Sequence, residues 1–192
     1  EPEKSKRYLE TIGAESRRLT RLVNNVLDFS RLEQNRKKYN CSRFDLRETL
    51  EETIQLQRLR IQKAGMELTT DLPEAPAPVD SDPDAIRQVL INLIDNAVKY
   101  AASGKTLHIG MFHAKNGYSI SVADRGEGIA PRDRSRIFER FYRVDDSLTA
   151  ESQGCGLGLS IARRMMEDLG GSLSLLSAKG GACFSILIPG EL

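Results

Sequence analysis

The stretch Asp82–Tyr100, DPDAIRQVLINLIDNAVKY, decides how the chain is read. Asp82 is a strong N-cap residue and Pro83 suits a first helical turn. Ile86, Val89, Leu90, Leu93, Ile94, Ala97 and Val98 follow i, i+3, i+4, i+7 spacing without a miss, which predicts an amphipathic helix with its apolar face in the core. Its second face carries Asn92 and Asn96, one turn apart, with Lys99 and Tyr100 a turn further on. An amide oxygen is a neutral hard ligand, suited to Mg²⁺ that keeps waters and phosphate oxygens. Lys99 on that line can meet a phosphate as a point charge. Read alone, the same stripe also suits a solvated polar face.

Downstream, Asn116-Gly117 between Thr106–Lys115 and Tyr118–Ala123 signals a β-hairpin. Tyr118, Ile120, Val122 and Asp124 share one parity, so Asp124 continues an apolar row. A carboxylate there is costly without a donor. An exocyclic base amine is one such donor, and local backbone amides are another. Gly126 and Gly128 allow close approach by a flat ligand. Ile129-Ala130-Pro131 turns the chain into a short helix reaching about Phe138. Residues 139–157 are polar and glycine-bearing with no period, a long loop of the kind that forms lids. Gly154-Cys155-Gly156-Leu157-Gly158-Leu159 runs into a helix ending at Leu169. A glycine-rich turn there either holds anions on free N–H groups or serves as a flexible joint. It fits neither a Walker A motif nor a dinucleotide fingerprint. Strands Ser172–Ala178 and Ala182–Ile188 close the chain around Gly180-Gly181.

Upstream, residues 5–34 read as one helix. Leu9, Ile12, Leu19, Val23 and Val26 follow 3/4 spacing, and Leu22 and Leu27 widen the stripe. Such a helix needs another to cover it, and its near-heptad spacing favours a bundle with partner helices. Gln34–Lys38 is polar and basic and reads as a solvated linker. Cys41–Leu46 predicts a short strand. Asp45 is an N-cap with Glu48 as capping-box partner, opening a helix to Lys63 that Gly65 ends. Met66–Leu72 alternates as a strand does. Pro73, Pro76 and Pro78 predict a stiff connection into Asp82. The chain is thus expected to be a helical arm (1–38) followed by an α+β domain (39–192). That domain is a two-layer α/β sandwich, a mixed sheet packed on helices.

Composition excludes several classes. The 192 residues are 40% hydrophobic and 29% charged, which argues against wholesale disorder. The formal net charge is +1, so no uniform field draws the chain to nucleic acid or anionic lipid. The three cysteines, Cys41, Cys155 and Cys183, are too few and too far apart for a disulfide scaffold or a CxxC metal site. With no Trp and 6% aromatics, a stacking platform for single strands is not expected.

The order NLIDNAVKY (Asn92–Tyr100), DRGEG (Asp124–Gly128), FERFYR (Phe138–Arg143) and GCGLGL (Gly154–Leu159) resembles the N, G1, F and G2 boxes of bacterial sensor histidine kinases. Their catalytic ATP-binding domain belongs to the wider GHKL group, with the Bergerat ATP-binding fold. The resemblance covers about residues 41–192. The arm resembles the second helix of the family's dimerisation hairpin. What the resemblance implies is ATP and Mg²⁺ as cofactors and transfer of the γ-phosphate to a histidine. Asn96 would coordinate the metal, with Asn92 beside it near the phosphates. Lys99 would support phosphate and Tyr100 would line the pocket. Asp124 would accept from the adenine amine, in a pocket shaped by Gly126, Gly128 and Ile129. Phe138 and Phe141 would anchor the lid to the core, Phe141 also bordering the nucleotide. Gly154, Gly156, Leu157, Gly158 and Leu159 would fold over the triphosphate. Arg143 would point to the phosphates or to the acceptor helix and, with Asn92 and Lys99, form the catalytic set. Cys155 stands where the family commonly has Thr or another small residue.

Implied partners are the chain's own dimerisation and phosphoacceptor helix, a second protomer and a response-regulator receiver domain. Nucleic acid is not implied, nor a membrane contact within this stretch. The implied location is cytoplasmic, with membrane attachment of a full-length protein left open. The family's acceptor is a histidine on the first dimerisation helix. This chain has only His108 and His113, both on the expected first hairpin strand, so the acceptor is expected upstream of Glu1. Two rivals stand beside the kinase: a GHKL-type ATPase and a non-catalytic nucleotide-binding dimerisation module. The ATPases of that group commonly place a Glu near position 92 to activate water, and Asn92 argues against efficient hydrolysis.

Overall fold

A computed structural model describes residues 2–34, 36–144, 156–176 and 180–190. The described elements begin with α1 (Pro2–Glu33), β1 (Ser42–Asp45), α2 (Leu46–Lys63), β2 (Glu67–Asp71) and β3 (Pro78–Ser81). They continue with α3 (Pro83–Tyr100), β4 (Thr106–Ala114), β5 (Gly117–Asp124), α4 (Gly158–Asp168), β6 (Ser172–Leu176) and β7 (Cys183–Pro189). A mixed five-stranded sheet runs in the order β2-β4-β5-β7-β6, with β2 parallel to β4 and the other pairs antiparallel. Helices α2, α3 and α4 pack on it. Ile120, Val122, Phe184, Ile186 and Ile188 meet the buried face of α3 and α4 in one core.

Caps place the helices. Asp82 Oδ1 accepts the N–H groups of Asp84 and Ala85 at 2.9 and 3.1 Å, while its Oδ2 takes the N–H of Asn40 at 2.8 Å. Three donors let that carboxylate sit only 6% exposed. Asp45 Oδ1 caps α2 through the Arg47 N–H and also holds the Ala77 N–H, both at 2.9 Å.

One expectation is corrected and two are refined. Pro78–Ser81 is a strand, not only a stiff connection: it pairs antiparallel with β1, Phe44 opposite Val79. Proline at its first residue removes no needed donor, and Val79 and Ser81 are buried while Pro78 and Asp80 are exposed. The short helix ending at Phe138 is a single 3₁₀ turn, Arg136–Phe138, with i→i+3 bonds from the Arg136 N–H to the Asp133 carbonyl and from the Glu139 N–H to the Arg136 carbonyl. Gln34, Arg36 and Lys38 of the linker are exposed, but Lys37 and the residue after the linker make contacts with α4. Lys37 Nζ lies 3.8 Å from Met165 Sδ, and Tyr39 Oη donates to Asp168 Oδ2 at 3.0 Å.

The arm divides in two. Leu9, Ile12, Leu19, Val23 and Val26 are all more than half exposed, whereas Leu32 is 4% exposed against the domain. No helix among the described residues is long and apolar enough to cross a membrane.

Candidate functional site

Three motifs far apart in sequence meet around α3. Asn92 and Asn96 stand half-buried on the helix. Asn92 Nδ2 donates to the Gly158 carbonyl at 3.4 Å, which sets the asparagine pair beside the first turn of α4. Among the described residues no side chain caps that turn at Leu157, where the first N–H groups of a helix lack intrahelical partners. A Cβ built on Gly158 would meet nothing within 4 Å. Among the described residues nothing crowds that position of the turn.

At the other end of α3 the Asp124 turn closes on the helix cap. Asp124 Oδ1 accepts the N–H of Gly126 and of Ala182, both at 3.0 Å. Among the described residues these bonds fall on one oxygen, leaving Oδ2 to other donors. The expected inward parity is only half met: Asp124 is partly exposed at the strand end, and backbone amides supply its donors. Gly126 is required by packing, since a Cβ there would lie 2.7 Å from the Cβ of Ala101, the α3 C-cap residue. Gly128 has φ +76°, and its Cβ would lie 2.7 Å from the Gly181 carbonyl oxygen. Ile129 is half-buried, its carbonyl held by Arg134 Nε at 3.1 Å.

Lys99 and Arg143 are half-buried and Tyr100 is 49% exposed at the α3 end. Phe138 meets the core edge-on at Phe184, 6.3 Å between ring centroids, under the Arg163 guanidinium. Two residues depart from expectation. Phe141, in the left-handed region at φ 60°, packs on Phe29 of α1 instead of the core. Beside it Arg140 is ion-paired with Glu33 and lies over the Phe29 ring. Leu157 is fully buried, so its side chain serves the core and not an open pocket; Leu159 is half-buried against the same core. The rest of the expected lid, with Gly154 and Cys155, lies outside the described residues.

Sequence reasoning missed the role of Ala182, which holds Asp124 from 58 residues away. It read only as the start of the last strand. It also missed the Tyr142–Asp133 bond at 2.7 Å. Cys183 neighbours Asp124; burial first, and then that negative charge, push its thiol pKa up. His108 Nδ1 bonds Thr69 Oγ1 at 3.0 Å and His113 leans on Tyr118, so both are engaged on β4. Among the described residues no group of three or more His, Cys, Asp or Glu side chains could hold a metal. A cation at α3 would thus rest on amide oxygens together with oxygens of a ligand.

Residues 81–192 match the family described as histidine kinase-, DNA gyrase B- and HSP90-like ATPase, and residues 1–35 match the His kinase A (phospho-acceptor) domain. The sensor histidine kinase YcbM of Bacillus subtilis is 30% identical over 175 residues, which are 91% of this chain and 56% of YcbM. Full-length ShkA in complex with AMPPNP superposes with a TM-score of 0.79 at 27% identity, covering 98% of this chain and 40% of ShkA. ThkA in complex with the response regulator TrrA superposes with a TM-score of 0.75 at 27% identity, covering 100% of this chain and 53% of ThkA. The chain spans about half the length of the curated relatives it matches first.

Proposed function

Because the chain belongs to the histidine kinase-, DNA gyrase B- and HSP90-like ATPase family, we propose that it is the ATP-binding catalytic core of a sensor histidine kinase. It binds Mg-ATP between α3, the Asp124 turn and the first turn of α4. The observation that carries this reading is the Asn92–Gly158 bond, which joins the asparagine face of α3 to the start of α4. Such a start suits phosphate oxygens through its N–H groups and dipole. Asp124 Oδ2 accepts the adenine amine, while Oδ1 stays fixed by Gly126 and Ala182. Gly126, Gly128, Ile129 and Tyr100 border the base. Asn96 holds Mg²⁺ through its amide oxygen, with Asn92 beside it; bound there, the metal neutralises phosphate charge. Lys99 and Arg143 add cationic donors along the triphosphate, and Gly154 and Gly156 let the lid segment approach it.

The γ-phosphate goes to a histidine on the dimerisation hairpin and then to an aspartate of a receiver domain. The exposed arm stripe pairs with the other hairpin helix and a second protomer. The His kinase A match over residues 1–35 supports that pairing. The receiver partner is supported by the likeness to ThkA, solved with TrrA.

Calorimetry of this chain with Mg-ATP tests the binding site. Asp124→Asn is expected to weaken ATP about 10- to 100-fold, the range for one charge-assisted hydrogen bond, and Asn96→Ala to abolish the Mg²⁺ dependence. Labelled ATP with a hairpin supplied in trans tests the transfer: the label on the hairpin should be acid-labile and base-stable. Nucleotide binding with no label on the hairpin would exclude the kinase reading and leave an ATPase.

A further inference from the structure

The segment Glu139–Val144 is pinned at its base. Tyr142 Oη donates to Asp133 Oδ1 at 2.7 Å. Asp133 is 5% exposed and locked in consecutive turns: its N–H bonds the Ala130 carbonyl, and its own carbonyl takes Arg136 and Ile137. Its carboxylate has little freedom to follow a moving tyrosine. The Arg136 guanidinium lies 4.2 Å over the Tyr142 ring and holds the ring from its face. The Phe141 N–H donates to the Gly156 carbonyl at 3.0 Å, so the chain before and after residues 145–155 meets there. A Cβ on Gly156 would lie 2.7 Å from the Phe141 carbonyl carbon and 2.9 Å from the Tyr142 oxygen, so the crossing is tight. Arg143 is the next residue along the chain. A long side chain contributes to binding and catalysis only where its base is fixed, and fixing that base in advance removes the ordering cost from the binding step.

We infer that Tyr142 and Asp133 are positioning residues for ATP: their hydrogen bond sets the backbone from which Arg143 reaches the terminal phosphate. The inference rests on the proposed reading that ATP occupies this site. Neither residue touches the nucleotide. The pair acts through Arg143, and so separates a triphosphate from a diphosphate.

The test is calorimetry of the whole chain with Mg-AMPPNP and with Mg-ADP. The wild type is expected to prefer the triphosphate. Tyr142→Phe should weaken AMPPNP about 5- to 10-fold and leave ADP within about twofold, the loss of one positioning bond. Arg143→Ala should remove the preference, and the double variant should be no worse than Arg143→Ala, since groups acting as one unit are not additive. Asp133→Asn keeps an oxygen acceptor for the hydroxyl and should stay within about threefold of wild type. Should Tyr142→Phe fail to fold, Asp133→Ala/Tyr142→Phe removes both partners, leaves no buried polar group unpaired and reads the same ratio. An unchanged AMPPNP-to-ADP ratio in folded Tyr142→Phe, or a loss that adds in full to Arg143→Ala, overturns the inference and leaves the bond structural. A wild type that binds neither nucleotide overturns the functional reading beneath it.

Discussion

Helices α1 and α3 carry the same apolar period and meet opposite fates. On α3, Ile86, Val89, Leu90, Leu93 and Ile94 are at most 1% exposed; on α1, Leu9, Ile12 and Leu19 are 66%, 64% and 59% exposed. Helix α3 lies between α2 and α4 and over β5. Among the described side chains, helix α1 meets the domain at its end, where Phe29 is partly buried and Leu32 fully so. A hydrophobic period states that a face must be covered. It does not state whether the cover belongs to the same chain. The change from exposed Leu27 to buried Leu32 marks, within one helix, where cover by the α+β domain begins.

The largest effect should come from the exposed stripe. Ile12→Asp with Leu19→Asp places two charges where another helix would sit, and an unpaired buried charge is costly. Self-association of the chain, followed by sedimentation equilibrium, should weaken on the order of 100-fold or more. Nucleotide affinity should stay within about twofold, because neither residue is near α3. A variant that associates as wild type does would break the comparison, since α1 would then be exposed for another reason.

Three leucine truncations sharpen it. Leu93→Ala on α3 should cost about 2–5 kcal/mol in urea unfolding, the transfer term plus a cavity. Leu32→Ala should fall near the low end of that range, because a helix end relaxes into the space more readily. Leu19→Ala, measured below the concentration of association, should stay within about 0.5 kcal/mol. Were Leu32→Ala to match Leu19→Ala, the docked end of the arm would not be part of the fold.

The same contrast explains what the sequence made legible. Local signals were readable: the Asp82 cap with Pro83, the Asn116-Gly117 hairpin and the unbroken stripe of α3 each act over a few residues. What failed depends on contacts distant in the chain. The strand Pro78–Ser81 is too short to show a period and begins with a proline, and only its pairing with β1 makes it a strand. Phe141 reads as an apolar anchor, but whether it meets the core or Phe29 is set by a chain separation no local pattern records. The Asp124 turn stood out as a carboxylate on an apolar row, yet half of its support comes from Ala182. In the site, residue types were readable from spacing, and the partners that hold them were not.

The smallest effect concerns the join between the two regions. Tyr39 fastens the linker to α4 through Asp168, and Asn40 fastens it to the Asp82 cap of α3. Burial first, and then the hydrogen bond to Asp168, push the Tyr39 phenol well above its ordinary pKa of 10.0. A folded-state pKa raised above the unfolded one gives stability that is whole below pH 10 and is lost as pH rises towards the folded value. Tyr39→Phe removes one partly exposed bond and should cost about 0.5 kcal/mol at pH 8, the low end for a neutral donor screened by solvent. The stability advantage of wild type over Tyr39→Phe should then fall from pH 8 to pH 11 and change sign, as the unfolded wild-type phenol ionises and the phenylalanine cannot. Urea unfolding of both proteins at the two pH values measures it, and other titrating groups cancel in the difference. A gap that widens with pH would mean that Tyr39 is easier to ionise when folded, and the tether would have to rest on Asn40 and Lys37 instead.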